Sequence, residues 1–505
     1  MSQAAADRVQ RRHLAIVRRD ADHHGRLTLA LEPGRGTEDR HALPFVDAPV
    51  SWSADVTGID DVLAPGLRIA CLVGLTTVKH DQRDGTTGPA EERLYLCEPL
   101  PGTDPAALAR FAWARAETAE AIPSGLPGPL REALAATLAR LRSEAPDEGA
   151  WPPFTLPGFH AAMDSVLEAD PALRARATLR DGAGDASGPT GARLRQVRAW
   201  SLSSVWVGPG TVLKLPNPLW RSEPAVTALV GRYAPDIVPR VLAHGSVVVP
   251  GATDAAAWML MQRVHGEEAR GDDDTLRLAF EIGDLQRRLR AHDAELRAAG
   301  LTDRHLTATE AQLELVWMSS HLDGLDASEH AKLPALDAWI RRRLRAYADL
   351  RPPAVLTHGD LHGGNAIRRA DGGAAGSGAQ GGSPTAGDAG VASDSRDREP
   401  FVLIDWTDVA FAWPGVDMFT LGGFEADLDG EKHAALQRVY IEGLAGALGP
   451  APERMVRAGI ELSPVYHMVS YALIARSTPK HVGSEVDGAI GYLVRLLLKR
   501  MERTS

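Results

Sequence analysis

Two stretches in the C-terminal part of the chain constrain its fold more than any others: "LTHGDLHGGNAIRR" at 356–369 and "FVLIDWTDVAFAWPGVDM" at 401–418. The first crowds two histidines, an aspartate and an asparagine among three glycines, while Val355, Leu356 and Ile367 around them are core-type residues. That density of small and polar residues between apolar anchors describes a backbone shaped around something charged. In the second stretch the apolar run Phe401–Ile404 reads as a buried strand, with Asp405 where it ends.

Asp360 and Asn365 lie five residues apart on a tight loop, and Asp405 follows at a strand end. This set suits phosphoryl transfer from Mg-ATP. Mg²⁺ prefers hard oxygen ligands, and one or two carboxylates with phosphates and water usually suffice. Asn365 and Asp405 can supply those ligands, while Asp360 can orient a substrate hydroxyl and take its proton. The plainer reading is a polar turn in which His358 bonds backbone and Asp405 caps a helix. Either motif alone tolerates that reading; the two in this order disfavour it. Between them, 18 of the 28 residues at 371–398 are Gly, Ala or Ser and none is aromatic. Such a segment cannot bury enough surface to fold, and a flexible surface hairpin loop is expected there.

The pattern H-x-D-x-x-x-x-N followed by I-D-W resembles the aminoglycoside phosphotransferase and choline kinase branch of the protein-kinase-like superfamily, over about 190–500. The resemblance implies an α+β, two-lobed fold with a strand-rich N-lobe and a helical C-lobe. It also implies a phosphate-binding lysine held by a helix glutamate. "LRQVRAWSLSSVWVGPGTVLKLP" reads as two strands joined at "VGPG" and carries Lys214, and Glu223 heads the next helix. A strand-edge lysine and a helix-dipole acid would look the same singly. "VGPG" is not G-x-G-x-x-G, but backbone amides near Ser203, Ser204, Gly208 and Gly210 can meet phosphate oxygens; Pro209 has none to give. By order of motif, "AWMLMQRVHGE" offers adenine the Gln262 carbonyl and the Val264 amide, with Met261 packing behind the base. Asp417 resembles the aspartate that braces the catalytic loop, and His358 is grouped with it as structural support. The chain departs from the branch at Gly363, where Pro is common, and at Thr407, which puts the subfamily in doubt more than the activity.

Four spans are expected: 1–150, an extra small α/β domain of unknown role; 151–190, a hinge and linker helix; 191–265, the N-lobe; and 266–505, the helical C-lobe. In the first span "HLAIVRR", "RLTLAL", "LRIACLV" and "RLYLCEP" read as strands, and "DPAALARFAWARAETAEAI" and "GPLREALAATLARLRSEA" as helices. A net charge of −11 argues against nucleic-acid and anionic-membrane partners. The two cysteines, Cys71 and Cys97, lack ligand spacing, and no apolar run approaches the length of a membrane span, so a cytoplasmic setting is the default.

The expected function is therefore transfer of the ATP γ-phosphoryl group to a hydroxyl of a small molecule: an aminoglycoside, an amino sugar, another sugar or a choline-like amine. Glu425, Asp427 and Asp429 make an amine-bearing acceptor attractive. The alternative is a non-catalytic nucleotide-binding pseudokinase with a regulatory or scaffolding role. Acceptor identity, ATP against GTP, oligomeric state and the role of 1–150 are not readable from the sequence.

Overall fold

The computed structural model describes residues 9–19, 27–33, 41–49, 55–57, 59, 67–80, 89–116, 122–142, 152–177, 193–249, 251–318, 322, 324–369, 399–424, 430–477 and 488–504. The chain is α+β, rich in sheet in its first half and in helix thereafter. It divides into two compact units. One comprises Met1–Arg221, Leu242–Arg263 and Leu473–Asp487; the other comprises Ser222–Val241, Val264–Ala472 and Gly488–Ser505.

The first unit holds two sheets. Strands β1 (Val9–Arg19), β2 (Leu27–Pro33), β3 (His41–Ala42), β4 (Phe45–Pro49), β5 (Ile69–Lys79), β6 (Glu91–Pro99) and β7 (Ala112–Arg115) form a seven-stranded sheet of order β3-β2-β1-β6-β5, with β4 on β1 and β7 on β2. Only the β1–β6 pairing is parallel in this sheet. Strands β8 (Arg195–Ala199), β9 (Ser203–Val207), β10 (Thr211–Pro216), β11 (Val241–Val247) and β12 (Ala256–Gln262) form the second, in the order β11-β12-β10-β9-β8.

Two readings of the sequence need correction here. "DPAALARFAWARAETAEAI" is not one helix: a single turn, Pro105–Leu108, is capped by Asp104 and gives way to β7. The edge of β2 offers that segment a backbone ladder, and the Arg18 guanidinium lies 4.0 Å above the Trp113 ring. Tertiary pairing of aromatic residues outweighs helical spacing. The stretch containing "VGPG" makes three strands rather than two, because "WSLS" provides an earlier turn in which Trp200 N–H donates to Ser203 O at 3.2 Å. The expected strands in 1–150 and the helices Gly128–Arg142 and Phe159–Ala169 are present.

One apolar cluster runs through both sheets. It takes Leu29, Leu72 and Leu94 from the first, Trp206, Leu213, Leu215, Trp258 and Leu260 from the second, and Leu134, Leu138, Phe159 and Met163 from the helices. Polar contacts reinforce the seam. The Gln196 carboxamide accepts from Cys71 N–H at 2.8 Å and donates to Cys71 O at 2.6 Å, so a buried side chain replaces a missing ladder bond. Glu98 accepts from Gly158 N–H (2.5 Å), His160 N–H (2.9 Å) and His160 Nδ1 (2.5 Å), fastening the N-terminus of the Phe159–Ala169 helix to β6. Cys71 and Cys97 face each other with Sγ atoms 3.4 Å apart, both as free thiols.

The second unit is built on helices. Gly271–Leu289 packs closely on Glu431–Leu444: a Cβ on Gly283 would lie 2.6 Å from Tyr440 O, and one on Gly443 would lie 2.3 Å from Phe280 O. Two small sheets carry the polar loops. One runs β13 (Gly266–Glu268), β16 (Ala366–Arg369), β17 (Val402–Leu403); the other runs β14 (Thr302–Asp303), β18 (Ala410–Ala412), β15 (Val355–Thr357). Among the described residues no helix is long and apolar enough to cross a membrane.

The four spans read from the sequence stand as a proposal about folding autonomy, and the shared cluster gives it a test. A chain starting at residue 191 would bare Trp206, Leu213, Leu215, Trp258 and Leu260 on the face that the preceding residues cover. We expect it to be insoluble, or to lose cooperative unfolding by circular dichroism; a soluble product with a sharp transition would establish that 191–505 folds alone.

Candidate active site

The segment between β15 and β16 is neither helix nor strand for most of its length, and side chains hold it in place. Gly359 adopts φ +84°, and a Cβ there would fall 2.4 Å from Asp408 O, so only glycine fits. The turn directs the N–H groups of His358 and Gly359 toward Asp417, whose carboxylate accepts them at 3.3 and 2.8 Å. Asp417 lies in the helix Val416–Leu421 and also accepts from Gln286 Nε2 at 3.1 Å. Burial pushes its carboxyl up to about 7, against the opposing effect of those backbone donors.

His358 is fully buried and its pKa is lowered by that burial. Its bonds fix the neutral tautomer. Ile404 O can only accept, so Nε2 donates to it at 3.0 Å; Nδ1 then accepts from Asp360 N–H at 3.4 Å. The imidazole therefore links the Asp360 peptide to the peptide preceding Asp405.

Asp360 keeps 42% of its side chain exposed, enough for a substrate to reach. Burial pushes its carboxyl up, but the neighbouring His362 imidazole, 3.7 Å away, outweighs this and leaves it below the ordinary carboxylate value. The His362 pKa is correspondingly raised by the Asp360 carboxylate beside it. Asn365 closes the loop: its amide nitrogen donates to Asp360 O at 2.9 Å and to Asp360 Oδ2 at 3.2 Å. That orientation leaves the amide oxygen as the atom Asn365 can offer a cation.

Asp405 is brought alongside by backbone pairing. β16 and β17 are antiparallel with Ala366 opposite Leu403, and Ile404 N–H donates to Asn365 O at 2.9 Å. Asp405 has φ +61°, a left-handed conformation uncommon outside glycine, and Thr407 Oγ1 donates to its Oδ1. Asp405 also acts electrostatically on Asp360. The backbone bond from Ile404 to Asn365 brings the Asp405 peptide up to this loop, and an amide and a carboxylate oxygen are donors of the kind that fits Mg²⁺. Among the described residues there is no group of three or more His, Cys, Asp or Glu that could hold a metal ion.

The remaining expected residues are distributed as follows. Lys214 is buried in the middle of β10, opposite Val205 on β9 and Met259 on β12. Glu223 begins the helix Glu223–Tyr233 of the second unit and is fully buried. Ser204 lies within the ladder, its hydroxyl accepting from Gln196 Nε2 and Trp206 Nε1 at 3.1 Å each. Gly208 N–H is used in closing the hairpin on Thr211 O at 2.8 Å, which leaves Gly210 as the amide this turn offers. Met261 is buried and Gln262 exposed at the end of β12, and Val264 is half-buried beyond it. Glu425, Asp427, Asp429 and the insert 371–398 lie outside the described residues.

Three contributors escaped the sequence reading. His362 sat inside the quoted motif, two residues from Asp360, and spacing alone could have flagged it. Thr407 was singled out only as a departure from the branch, and Gln286 carries no such signal.

Residues 193–376 match the model of the phosphotransferase enzyme family (APH), a span that includes Asp360 and Asn365 and ends before Asp405. No curated protein matches the sequence. Among solved structures, a microcompartment-associated aminopropanol kinase is 15% identical, covering 62% of this chain and 93% of its own with a TM-score of 0.42. A choline/ethanolamine kinase family protein from Mesorhizobium loti is 17% identical, covering 66% and 93%, TM-score 0.40. The GDP complex of aminoglycoside 2'-phosphotransferase-IIIa is 16% identical, covering 62% and 93%, TM-score 0.40. These are distant likenesses. The resemblance read from the motifs is borne out, over residues 193–376, by the phosphotransferase family model.

The buried carboxyl of Asp417 generates a pH prediction. Its folded pKa of about 7 exceeds the ordinary 3.8. Between these values the folded state binds the extra proton, so its contribution to stability falls as pH rises, and the penalty is complete above about 7. Asp417→Asn should abolish that slope, with its stability relative to the unaltered chain lowest at acid pH, where Asp417 is already uncharged. Denaturant midpoints from pH 4 to 8 check this; an unchanged slope would contradict it.

Proposed function

We propose that this chain is a small-molecule kinase, moving the γ-phosphoryl group of Mg-ATP to a hydroxyl of its acceptor. The observation that carries the reading is the joined pair of loops: Asn365 bonded to Asp360 by its side chain and to Ile404 by its backbone, which sets Asp405 beside both. Asp360 is assigned the acceptor hydroxyl. Ionised and partly open, it can accept that hydroxyl's proton as the new O–P bond forms. Asn365 holds Asp360 in the orientation needed, and His358 ties the same loop to the Asp405 peptide. Lys214 is assigned the phosphates and Glu223 the pairing with it, both from motif order; the amide of Gly210, the Gln262 carbonyl, the Val264 amide and Met261 are assigned the nucleotide on the same ground. Mg²⁺ on Asn365 and Asp405 would neutralise charge on the bridging phosphates. Positioning and electrostatics carry such a reaction, since its loose transition state needs little covalent help. The acceptor is a hydroxyl-bearing small molecule, and an amine on it would suit the acidic surroundings.

Asp360→Asn should lower acceptor-dependent ADP release by roughly 10²–10⁴-fold, the usual value of a general base. Nucleotide affinity by calorimetry should change little. Asp405→Asn should instead weaken Mg-nucleotide binding at least about tenfold, an effect absent when Mg²⁺ is withheld. Turnover of Asp360→Asn close to that of the unaltered chain would show that some other group takes the proton.

A further inference from the structure

The long helix Pro452–Ser477 passes along the loop that carries Asp360. Tyr466 Oη donates to Asp408 O at 2.8 Å, the same carbonyl that occupies the space a Gly359 side chain would need. Arg304 fixes this turn of the helix, donating to Tyr466 O at 2.7 Å and Ser470 Oγ at 2.6 Å, with its guanidinium 3.8 Å from the Tyr466 ring centre. His467 follows Tyr466 on this turn of the helix, one residue from the contact with Asp408 O.

His467 is an unusual neighbour for that loop. The residue is 5% exposed, and its Nε2 has no hydrogen-bond partner among the described residues. Its surroundings are aromatic: the rings of Tyr466, Phe419 and Phe424 lie 5.3, 5.5 and 6.0 Å away. Burying a polar nitrogen without a partner costs free energy, and structures keep such groups where something else supplies the bond. Burial also pulls the imidazole pKa down to about 3, so the ring is neutral at physiological pH and can donate or accept toward a hydroxyl.

Phe424 shares a strained turn over this ring. Gly423 has φ +86° and Phe424 itself φ +61°, a conformation that bulky residues avoid. The turn is held by Phe424 N–H donating to Phe419 O at 3.0 Å and by Tyr492 Oη donating to Phe424 O at 2.8 Å. An aromatic side chain kept in a strained conformation against an unsatisfied histidine is a contact that a better partner can displace.

We infer that His467 is an acceptor-binding residue covered by Phe424, and that the hydroxyl-bearing acceptor displaces Phe424 to hydrogen-bond the imidazole beside Asp360. The inference rests on the phosphotransferase reading above and names the residue that recognises its acceptor. The two substitutions should act with opposite sign. His467→Phe keeps the aromatic packing but removes the hydrogen bond, and should raise the acceptor KM at least tenfold with the ATP KM unchanged. His467→Gln restores a donor and acceptor and should recover much of that loss. Phe424→Gly removes both cover and strain, and should lower the acceptor KM several-fold. A merely structural histidine would not produce this pattern.

The measurement uses the full chain with Mg-ATP and a panel of sugars, amino sugars and amino alcohols, read by ADP release and by calorimetric binding of each acceptor. An acceptor KM for His467→Phe within twofold of the unaltered chain overturns the inference while leaving the kinase reading intact. So does a rise in KM for Phe424→Gly, which would make Phe424 part of the binding surface. If no member of the panel is phosphorylated, the kinase reading falls, and binding decides separately: weaker acceptor binding by His467→Phe supports the role given to His467, and equal binding, or binding of none of the panel, overturns it.

Discussion

The polar loop depends first on one buried carboxylate receiving two peptide N–H groups. Gly359 and His358 belong to no helix or ladder, and their N–H groups point inward because Asp408 O closes the other side. Buried donors left without an acceptor would destabilise the turn, and Asp417 removes that penalty. Its own placement is inherited from helix packing. Gln286 on Gly271–Leu289 donates to Asp417 and accepts from Tyr440 Oη at 2.6 Å, and Tyr440 Oη in turn accepts from Gly415 N–H at 3.2 Å. The close approach of the two helices at Gly283 and Gly443 is what lets Tyr440 reach this network.

From that fixed point the second loop follows. His358 connects the Asp360 peptide to Ile404 O, and Ile404 N–H returns to Asn365 O. The residues 370–398 between the motifs join β16 to β17, whose pairing alone sets the register of Asn365 against Asp405. The left-handed Asp405 shows the cost accepted at this point: the backbone turns sharply so that the carboxylate faces the loop instead of continuing the strand direction.

How much of this was readable differs by element. His358, Asp360, Asn365 and Asp405 could be named from the sequence because they fall in two motifs at fixed spacing, and Asp417 because the resemblance supplied it. Gln286 could not, since a polar residue on an amphipathic helix looks ordinary until its neighbours are known. The Pro105–Arg115 segment was misread because helical spacing and a strand paired at a sheet edge are indistinguishable over so few residues. The "VGPG" turn was found, but not that Gly208 N–H is used in closing it. Nor does composition reveal that Gln196 joins the two sheets, since a buried carboxamide replacing a ladder bond leaves no periodic trace.

Charge supplies the last step. Asp360, Asp405 and Asp417 converge through one hydrogen-bonded loop system; Asp405 pushes the carboxyl of Asp360 up, and Asp360 does the same to Asp417. Against them stands His362, whose pKa is raised by Asp360, while His358 and His467 are kept neutral by burial. Like charges held this close oppose one another's ionisation, and a proton on Asp417 near neutrality is one relief the molecule already uses. A divalent cation on the oxygens of Asn365 and Asp405 is the other relief, and it would act where the repulsion originates. On the proposed reading, the same crowding that makes the unliganded loop costly to hold is what gives Mg-nucleotide its hold on the site, and it leaves Asp360 ionised and facing the acceptor.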